Sequence, residues 1–247
     1  ACATSAQALI LGWELIQAGL YDTVIAGGAD ELHPITTAIF DIVFAASRGY
    51  NDNPDAAVRP FDQLRDGLVV SEGAGVVILE SERSLRDRVG KALAEFCGGA
   101  YLCDGTHMSQ SNSKTMIEVM NLALARTKTR VDAVDYVNAH ATGTVQGDAE
   151  EALAIGAVVG SRVPVSSLKG HLGHPLAACG ALEVIASIKM MEKGVLIPTR
   201  NLTEIDPACN QVLHLQERRD ARLKTVMSNN FAFGGINTSL LLTHFDA

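Results

Sequence analysis

The sequence predicts an α/β fold, because strand patterns and helix patterns alternate along its 247 residues. Apolar residues recur at helical spacing from Thr4 to Leu20, whereas short runs rich in valine and isoleucine, bounded by glycine, are typical of strands. Polar clusters follow several of these strands, where α/β proteins place ligand-facing groups. With 47% hydrophobic and 19% charged residues, the chain has a globular composition and enough length for one large core or two modest ones.

The first 88 residues are predicted to hold one helix followed by strands. The helix covers residues 4–20 and ends near Gly19, and TVIAGG after it forms the first strand. After a loop-rich region, GLVVSEGAGVVILES predicts two strands joined by a glycine-containing turn, and ERSLRDRVGK predicts a charged connector. We place a boundary near Arg88.

The rest of the chain repeats an order of strand, polar loop and helix. A strand in ALAEFCGGAYLC, an amphipathic helix in SKTMIEVMNLALART, a buried strand in VDAVDYVNAHATGT and a helix in DAEEALAIGAVVG are predicted in turn. PVSSLKGHLGHPLAACGALEVIASIKMMEKG gives a strand, a polar loop and a helix of small residues, and LKTVMSNNFAFGGINTSLLLTHF gives two strands around a Phe/Gly turn. The helices after Cys2 and His174 look alike, which leaves internal duplication and simple close packing of small residues as alternatives.

Composition argues against several classes of protein. The net charge is -8, and clustered Lys and Arg of the kind that bind nucleic acid are absent, so we expect no nucleic-acid partner. The five cysteines are odd in number and lack CxxC pairs, which favours reduced thiols in a cytoplasm. No stretch is long and apolar enough to insert in a membrane. There is no signal-like segment and no initiating Met, so we expect residue 1 to be an interior cut.

Cys2 stands at or just before the N-terminus of the first predicted helix. The positive end of the helix dipole and unpaired N–H groups can lower the pKa of a thiol there, which makes a nucleophile. Most free cysteines are instead small buried apolar residues. A cysteine considered alone does not show which of these two roles, nucleophile or buried apolar residue, it has.

Other reactive side chains occupy comparable positions. His140 ends a predicted strand and is followed by Thr142 and Thr144, while Lys169 and His174 lie in a second loop between strand and helix. Together with Cys2 they form the set that covalent acyl chemistry requires, since a thiolate can carry the acyl group and imidazoles can donate hydrogen bonds or move protons.

A metal site is the alternative for part of this set. His171 and His174 are spaced i, i+3, as are Asp148 and Glu151 in the first turn of a helix. The carboxylates have a simpler role as favourable charges at a helix N-terminus that could also pair with Lys169. We therefore expect no metal.

NNFAFGGIN places Phe231 and Phe233 in a glycine-containing turn. Backbone N–H groups of such a turn could help to form an oxyanion hole. A plain β-turn that carries core aromatics is the alternative.

The chain resembles the β-ketoacyl-acyl carrier protein synthases, which are condensing enzymes of the thiolase-like superfamily. The resemblance runs from end to end through an ordered set of motifs, namely ACATS, AGGADE, YNDNP, RPFDQLRDG, SEGAG, NAHATGTVQGDAEE, the Lys169-to-His174 spacing before PLAACG, and SNNFAFGG. YNDNP and ACATS look most like the elongating type of fatty acid synthesis, although modular polyketide ketosynthases share most of these motifs.

The resemblance implies a layered αβαβα thiolase-like fold and a homodimer. It also implies that residues 1–88 are the end of the first thiolase-like half, that 89–247 are the second half, and that the upstream part of the first half is lacking. We expect a fragment that is neither stable nor active alone.

The resemblance further implies a cytoplasmic acyltransferase of fatty acid biosynthesis that needs no cofactor, because its substrates are carried on the phosphopantetheine of acyl carrier protein. Cys2 would carry the acyl chain as a thioester, and His140 and His174 would stabilise the enolate formed when malonyl carrier protein loses carbon dioxide. Lys169 with Glu151 would position the histidines, and the N–H groups of Cys2 and Phe233 would form an oxyanion hole. The substrate and its pantetheine arm would be bound by Thr142, Thr144, Phe231 and Phe233, and Phe233 would also act as a gate.

Four residues depart from the family pattern: Ala232, Ile236, His171 and Pro175. A Cβ at residue 232 restricts a moving gate, so we expect slower opening or a shifted chain-length preference. A polyketide-type ketosynthase and a catalytically silent chain-length subunit stay open as alternatives, although silent subunits usually lose the cysteine. A degradative thiolase is disfavoured, because thiolases use a second cysteine where this chain has His174 and Phe233.

Overall fold

A computed structural model describes residues 1–105 and 109–245. The elements of the first part are α1 (Thr4–Gln17), β1 (Thr23–Asp30), α2 (Pro34–Ile42), β2 (Gly73–Glu80) and α3 (Glu82–Asp87). Pro34 starts α2 with the fixed φ that suits a first helical turn, and the His33 side chain accepts a hydrogen bond from the N–H of Ile35. Ser81 caps α3 in the same way through the N–H of Ser84.

The second part builds the larger sheet and its helices. Its elements are β3 (Glu95–Cys103), α4 (Ser113–Thr127), β4 (Tyr136–Asn138), α5 (Val145–Val159), β5 (Pro164–Ser166), α6 (Lys169–Leu172), α7 (Cys179–Lys193), β6 (Val195–Leu196), β7 (Leu213–His214), β8 (Arg219–Asp220), β9 (Thr225–Phe231) and β10 (Ile236–Thr243). Gly194 ends α7 at φ +63°, a left-handed cap that a residue with a side chain rarely adopts.

Six strands form a mixed sheet in the order β3-β10-β9-β4-β5-β7. Strands β9, β4, β5 and β7 run parallel, while β10 is antiparallel to both of its neighbours. β1 and β2 form a separate antiparallel pair in which Ile25 lies opposite Ile78. Because β4 and β5 are parallel, their carboxyl ends meet at one edge of the sheet.

Two apolar cores separate the layers. One lies between the six-stranded sheet and helices α4 and α5, and the other lies between the opposite face of that sheet and helices α1 and α7. β1 and β2 cover the far side of α1 and α7. The described residues therefore form successive α, β, α and β layers of the predicted thiolase-like architecture.

Most predicted elements are present, with four corrections. The region predicted to be rich in loops contains α2, a helix of 9 residues. In GLVVSEGAGVVILES only Gly73–Glu80 is a strand, since residues 68–70 make single bridges from Leu68 to Ala46 and from Val70 to His174. The predicted charged connector contains the short helix α3, and the polar loop after β5 contains α6. Short amphipathic helices of four to six residues give too few repeats for periodicity to detect.

The outer face of the two-stranded sheet is apolar and exposed. Ile25, Val76 and Ile78 are 71%, 61% and 67% exposed, respectively, because alternate side chains of each strand point away from α1 and α7. None of the described helices is long and apolar enough to cross a membrane.

Candidate active site

Cys2 lies directly before α1 and is buried in a small apolar cluster with Ala3, Cys179 and Ala232. Burial raises the pKa of its thiol, although the Lys169 charge and the backbone N–H groups of Phe233 and Cys2 act in the opposite direction. The sequence predicted a lowered pKa from the helix dipole. In the folded chain the loss of water outweighs that effect, so the resting sulfur is a thiol.

His140 is fixed at the end of β4 by a carboxylate on α5. The backbone N–H groups of His140 and Ala141 donate to the two oxygens of Glu151 at 2.7 Å and 2.6 Å. Burial raises the pKa of Glu151 to about 8, and the two backbone hydrogen bonds oppose this rise. Glu151 therefore holds the backbone that carries His140 and makes no hydrogen bond to its imidazole.

His174 is held by the stretch that follows Gly67. Its N–H donates to the carbonyl of Val69 at 2.8 Å, and its carbonyl accepts the N–H of Ser71 at 3.1 Å. The imidazole is buried, and neither ring nitrogen has a hydrogen-bond partner among the described residues. Both nitrogens are therefore available to a ligand or a reacting group.

The Cys2 sulfur and one ring nitrogen from each of His140 and His174 lie within 4.8 Å of one another. The two imidazoles meet edge to face, with ring centroids 5.3 Å apart. Burial, reinforced by the Lys169 charge, lowers the pKa of both histidines well below the usual value. The site thus combines a thiol with two neutral imidazoles at neutral pH.

Lys169 is fully buried behind this cluster and forms an ion pair with Glu183 on α7. The sequence suggested Glu151 as a possible partner of Lys169, but the two oxygens of Glu151 accept backbone hydrogen bonds and the ion pair of Lys169 is with Glu183. Burial is the largest single influence on the pKa of Lys169 and acts to lower it. The charge and hydrogen bond of Glu183, together with other nearby groups, outweigh burial, so the pKa of Lys169 is raised. Glu183 was missed by the sequence analysis, although its position three residues after Gly180 on a helix of small apolar residues is a usable signal.

Asp148 also has a backbone role instead of the suggested pairing with Lys169. It accepts the N–H groups of Thr142, Gly143 and Phe61 at 3.0, 3.2 and 2.8 Å. The guanidinium of Arg65 lies 3.7 Å away. Burial raises the pKa of Asp148 to about 6, while Arg65 and the three backbone donors oppose the rise. Asp148 and Glu151 together fix residues 140–143.

The predicted threonines and phenylalanines border the same pocket. The hydroxyls of Thr142 and Thr144 are 3.1 Å apart, and the Phe231 ring lies 6.5 Å from that of His140. Phe233 contacts Phe40, with ring centroids 5.8 Å apart. Nine of the ten predicted site residues line this pocket, and Lys169 lies behind it; the nine are Cys2, His140, Thr142, Thr144, Asp148, Glu151, His174, Phe231 and Phe233.

The metal set considered from the sequence does not come together. His171 is exposed, and its Nε2 lies 2.9 Å from the carbonyl oxygen of Pro198. In residues 1–105 and 109–245, the one cluster with metal-ligand spacing is Cys2, His140 and His174. A sulfur and two imidazole nitrogens suit zinc chemically, so these residues are also where a thiophilic metal would bind.

A buried cysteine before a helix, with two histidines beside it in successive α, β, α and β layers, is the arrangement expected of the thiolase-like fold. The chain belongs to the beta-ketoacyl synthase family. The model of the beta-ketoacyl synthase N-terminal domain matches residues 1–84, and that of the C-terminal domain matches residues 93–203.

Individual relatives include both 3-oxoacyl-[acyl-carrier-protein] synthases and polyketide beta-ketoacyl synthases. The chain is 38% identical over 250 residues to 3-oxoacyl-[acyl-carrier-protein] synthase 1 of Haemophilus influenzae, covering 100% of this chain and 60% of that protein. It is also 38% identical over 233 residues to the actinorhodin polyketide putative beta-ketoacyl synthase 1 of Streptomyces coelicolor, covering 92% of this chain and 50% of that protein. The chain thus spans between half and three fifths of these relatives.

Solved structures agree in fold. A beta-ketoacyl synthase from Burkholderia phymatum superposes with a TM-score of 0.97 at 45% identity, over 99% of this chain and 60% of that one. A type II polyketide ketosynthase in complex with its acyl-carrier protein, bound to the hexaketide, gives a TM-score of 0.95 at 31% identity, over 99% of this chain and 62% of that one.

Proposed function

We propose that this chain supplies the catalytic centre of a β-ketoacyl-acyl carrier protein synthase in fatty acid elongation. The enzyme carries an acyl chain on Cys2 and condenses it, with loss of carbon dioxide, with malonyl carrier protein. The observation that carries this proposal is the convergence of the Cys2 sulfur and one nitrogen of each histidine within 4.8 Å in a buried pocket. A thiol nucleophile with two neutral imidazoles suits acyl transfer followed by stabilisation of an enolate.

In the first half-reaction the Cys2 sulfur attacks the acyl thioester on the carrier protein. A carbon–sulfur bond to Cys2 forms, the bond to the pantetheine sulfur breaks, and the thiol proton passes to that leaving sulfur. Because the resting sulfur is a thiol, a facing neutral imidazole relays this proton. The N–H groups of Cys2 and Phe233 act on the sulfur, so they lie beside the acyl carbon that bonds to it and are placed to donate to the oxyanion that develops on the carbonyl oxygen of that acyl group.

In the second half-reaction the malonyl group loses carbon dioxide as a carbon–carbon bond breaks. His140 and His174 donate hydrogen bonds to the resulting enolate oxygen, a charge that exists only after decarboxylation. The carbanion then attacks the Cys2 thioester, so that a new carbon–carbon bond forms, the carbon–sulfur bond to Cys2 breaks, and a proton from solvent restores the thiol. Thr142 and Thr144 hold the phosphopantetheine arm, and Lys169 sets the electrostatic field of the histidines.

This function implies acyl carrier protein as the partner and a homodimer as the assembly. It requires a reduced Cys2, which fits a cytoplasmic location. The reaction as written balances without a redox cofactor or a metal.

A polyketide-type ketosynthase is the second candidate, because the Streptomyces relative is as similar to this chain as the Haemophilus one. Linear saturated acyl groups on the carrier protein should acylate Cys2 under the first proposal, and poly-β-keto chains should do so under the second. A silent chain-length subunit is disfavoured by the retained Cys2.

The test is the intact mass of the protein, as its gene encodes it, after mixing with carrier protein charged with a C12 or C16 acyl group. The wild-type protein and a Cys97→Ala control should gain one acyl mass, and Cys2→Ala should gain none. Malonyl carrier protein should then release a β-ketoacyl product. If the wild type gains no mass from saturated or poly-β-keto donors, the condensing function is wrong.

A further inference from the structure

The N-terminal ends of α1 and α7 meet directly beside the nucleophile. A Cβ built on Gly180 would lie 2.7 Å from the backbone nitrogen of Ala6, so only glycine permits this approach. One residue further along, the N–H of Ala181 donates to the hydroxyl of Ser5 at 3.0 Å. These contacts fix Cys179, the first residue of α7, against the backbone of Cys2.

Cys179 has polar partners on both sides of its sulfur. Its S–H donates to the carbonyl oxygen of Cys2 at 3.0 Å, and its sulfur accepts the Nδ2 amide of Asn230 at 3.4 Å. The same amide donates to Glu183 at 2.7 Å, and Glu183 pairs with Lys169. A continuous buried chain of contacts therefore runs from the Lys169 ammonium to the backbone of the nucleophile.

The Cys2 carbonyl is not part of the regular hydrogen bonding of α1. The N–H of Gln7 donates to Ala3, one residue beyond Cys2, and the N–H of Thr4 donates to Ala1. The orientation of the Cys2 peptide group therefore depends on the donor that Cys179 supplies. That orientation sets where the Cys2 sulfur stands relative to His140 and His174.

We propose that Cys179 is a positioning residue that links the Lys169–Glu183 pair, through Asn230, to the Cys2 carbonyl and holds the nucleophile against the two histidines. The inference rests on the proposed function for its effect on acyl transfer. An apolar side chain of similar size fills the same space but has neither the S–H donor nor the sulfur acceptor. A serine at this position keeps both abilities.

The experiment compares Cys179→Ala and Cys179→Ser with the wild type and with Cys97→Ala, which removes a thiol on β3 outside the pocket. The rate of Cys2 acylation by dodecanoyl carrier protein is followed by intact mass across donor concentrations. We expect Cys179→Ala to lower the maximal rate about two- to fivefold, the range for one weak hydrogen bond, with KM unchanged because Cys179 lies outside the pocket lining. Cys179→Ser should restore the wild-type rate, and Cys97→Ala should match it.

A second readout does not depend on the proposed function. Alkylation of Cys2 by iodoacetamide, followed on the Cys2 peptide by mass spectrometry, should slow by a similar factor in Cys179→Ala and recover in Cys179→Ser. If the wild type alkylates but accepts no acyl group, the proposed function fails while the alkylation ratio still decides the positioning role. Equal alkylation rates in Cys179→Ala and the wild type would overturn it, as would a serine variant that is as slow as alanine at an unchanged melting temperature.

Discussion

At the scale of single residues, burial sets the protonation of the site. Loss of water keeps His140 and His174 neutral and raises the pKa of the Cys2 thiol. Lys169 is equally buried, but its pairing with Glu183 keeps its charge. The Lys169 charge acts on all three reactive groups: it lowers the pKa of both imidazoles and favours the thiolate form of Cys2.

A pH-dependent cost of folding follows for His174. Its folded pKa lies well below the usual value, so between pH 6.5 and that lower value the unfolded chain binds a proton that the folded chain does not. His174 therefore does not lower the free energy of unfolding above about pH 7. As the pH falls below about 6.5, that free energy decreases, because only the unfolded chain takes up the proton. The loss reaches up to about 2 kcal/mol at pH 5.

Denaturant unfolding of the wild type and of His174→Asn at pH 7.5, 6 and 5 measures this cost. The wild type should lose more unfolding free energy on acidification than the variant, whose side chain does not titrate. His171→Asn, which removes an exposed imidazole outside the pocket, should keep the wild-type slope. Parallel profiles for the wild type and His174→Asn would contradict the argument.

Many of the residues that line the site could be predicted from the sequence, because Cys2 precedes a helix, His140 follows a strand and His174 lies in a loop between a strand and a helix. It did not predict the partner of Lys169. Glu151 and Glu183 both lie on helices after polar loops, and the choice between them depends on distances across the fold. Only the packing of α7 against the sheet brings Glu183 to Lys169, while the N–H groups of His140 and Ala141 occupy Glu151.

At the scale of elements, the site depends on segments that are not regular structure. The stretch after Gly67 was predicted to be a strand. It instead makes backbone hydrogen bonds from Val69 and Ser71 to His174. The turn between β9 and β10 holds Phe233 beside Cys2 and contains Gly234 and Gly235 at φ +87° and +78°. Those two glycines adopt backbone conformations that side chains disfavour, so the shape of the turn depends on them.

Ala232 is the residue of this turn that should limit its motion. Its N–H donates to Ile236 at 2.8 Å, its carbonyl accepts the N–H of Gly235 at 3.1 Å, and its Cβ packs in the cluster around Cys2. Ala232→Gly removes the Cβ and widens the accessible backbone conformations, at a cost to stability of up to about 1 kcal/mol. We expect faster acylation by long-chain donors or a shift toward longer chains, with the chemistry retained.

Acylation rates for C8, C12 and C16 carrier proteins should therefore change their ratio in Ala232→Gly relative to the wild type. Ala157→Gly, on α5 outside the pocket lining, is a control for loss of a methyl group and should keep the wild-type ratio. An unchanged chain-length profile and unchanged rates in Ala232→Gly would count against a gating role for this turn.

At the scale of the whole molecule, the site joins residues that are far apart in the sequence. Cys2 precedes α1, whereas Phe233 follows β9, and their contact requires the six-stranded sheet and the helices that pack on it to be in place. The alternation of strands and helices was enough to predict the α/β fold class. The order of the layers depends instead on which apolar face packs against which. Periodicity does not specify that choice, because α1, α4, α5 and α7 each present a buried face of similar composition.

The β1–β2 sheet should govern how these 247 residues behave when they are produced alone. A two-stranded sheet is marginal by itself, and here Ile25, Val76 and Ile78 form a contiguous exposed apolar face. We expect the isolated residues 1–247 to self-associate and to bind the dye ANS, because burying that apolar face away from water is energetically favourable.

Val76→Lys with Ile78→Lys should shift size-exclusion elution toward the monomer and lower dye binding, whereas Leu153→Lys, at a separate exposed position on α5, should do neither. If the unsubstituted residues 1–247 are monomeric and bind no ANS, the prediction is wrong.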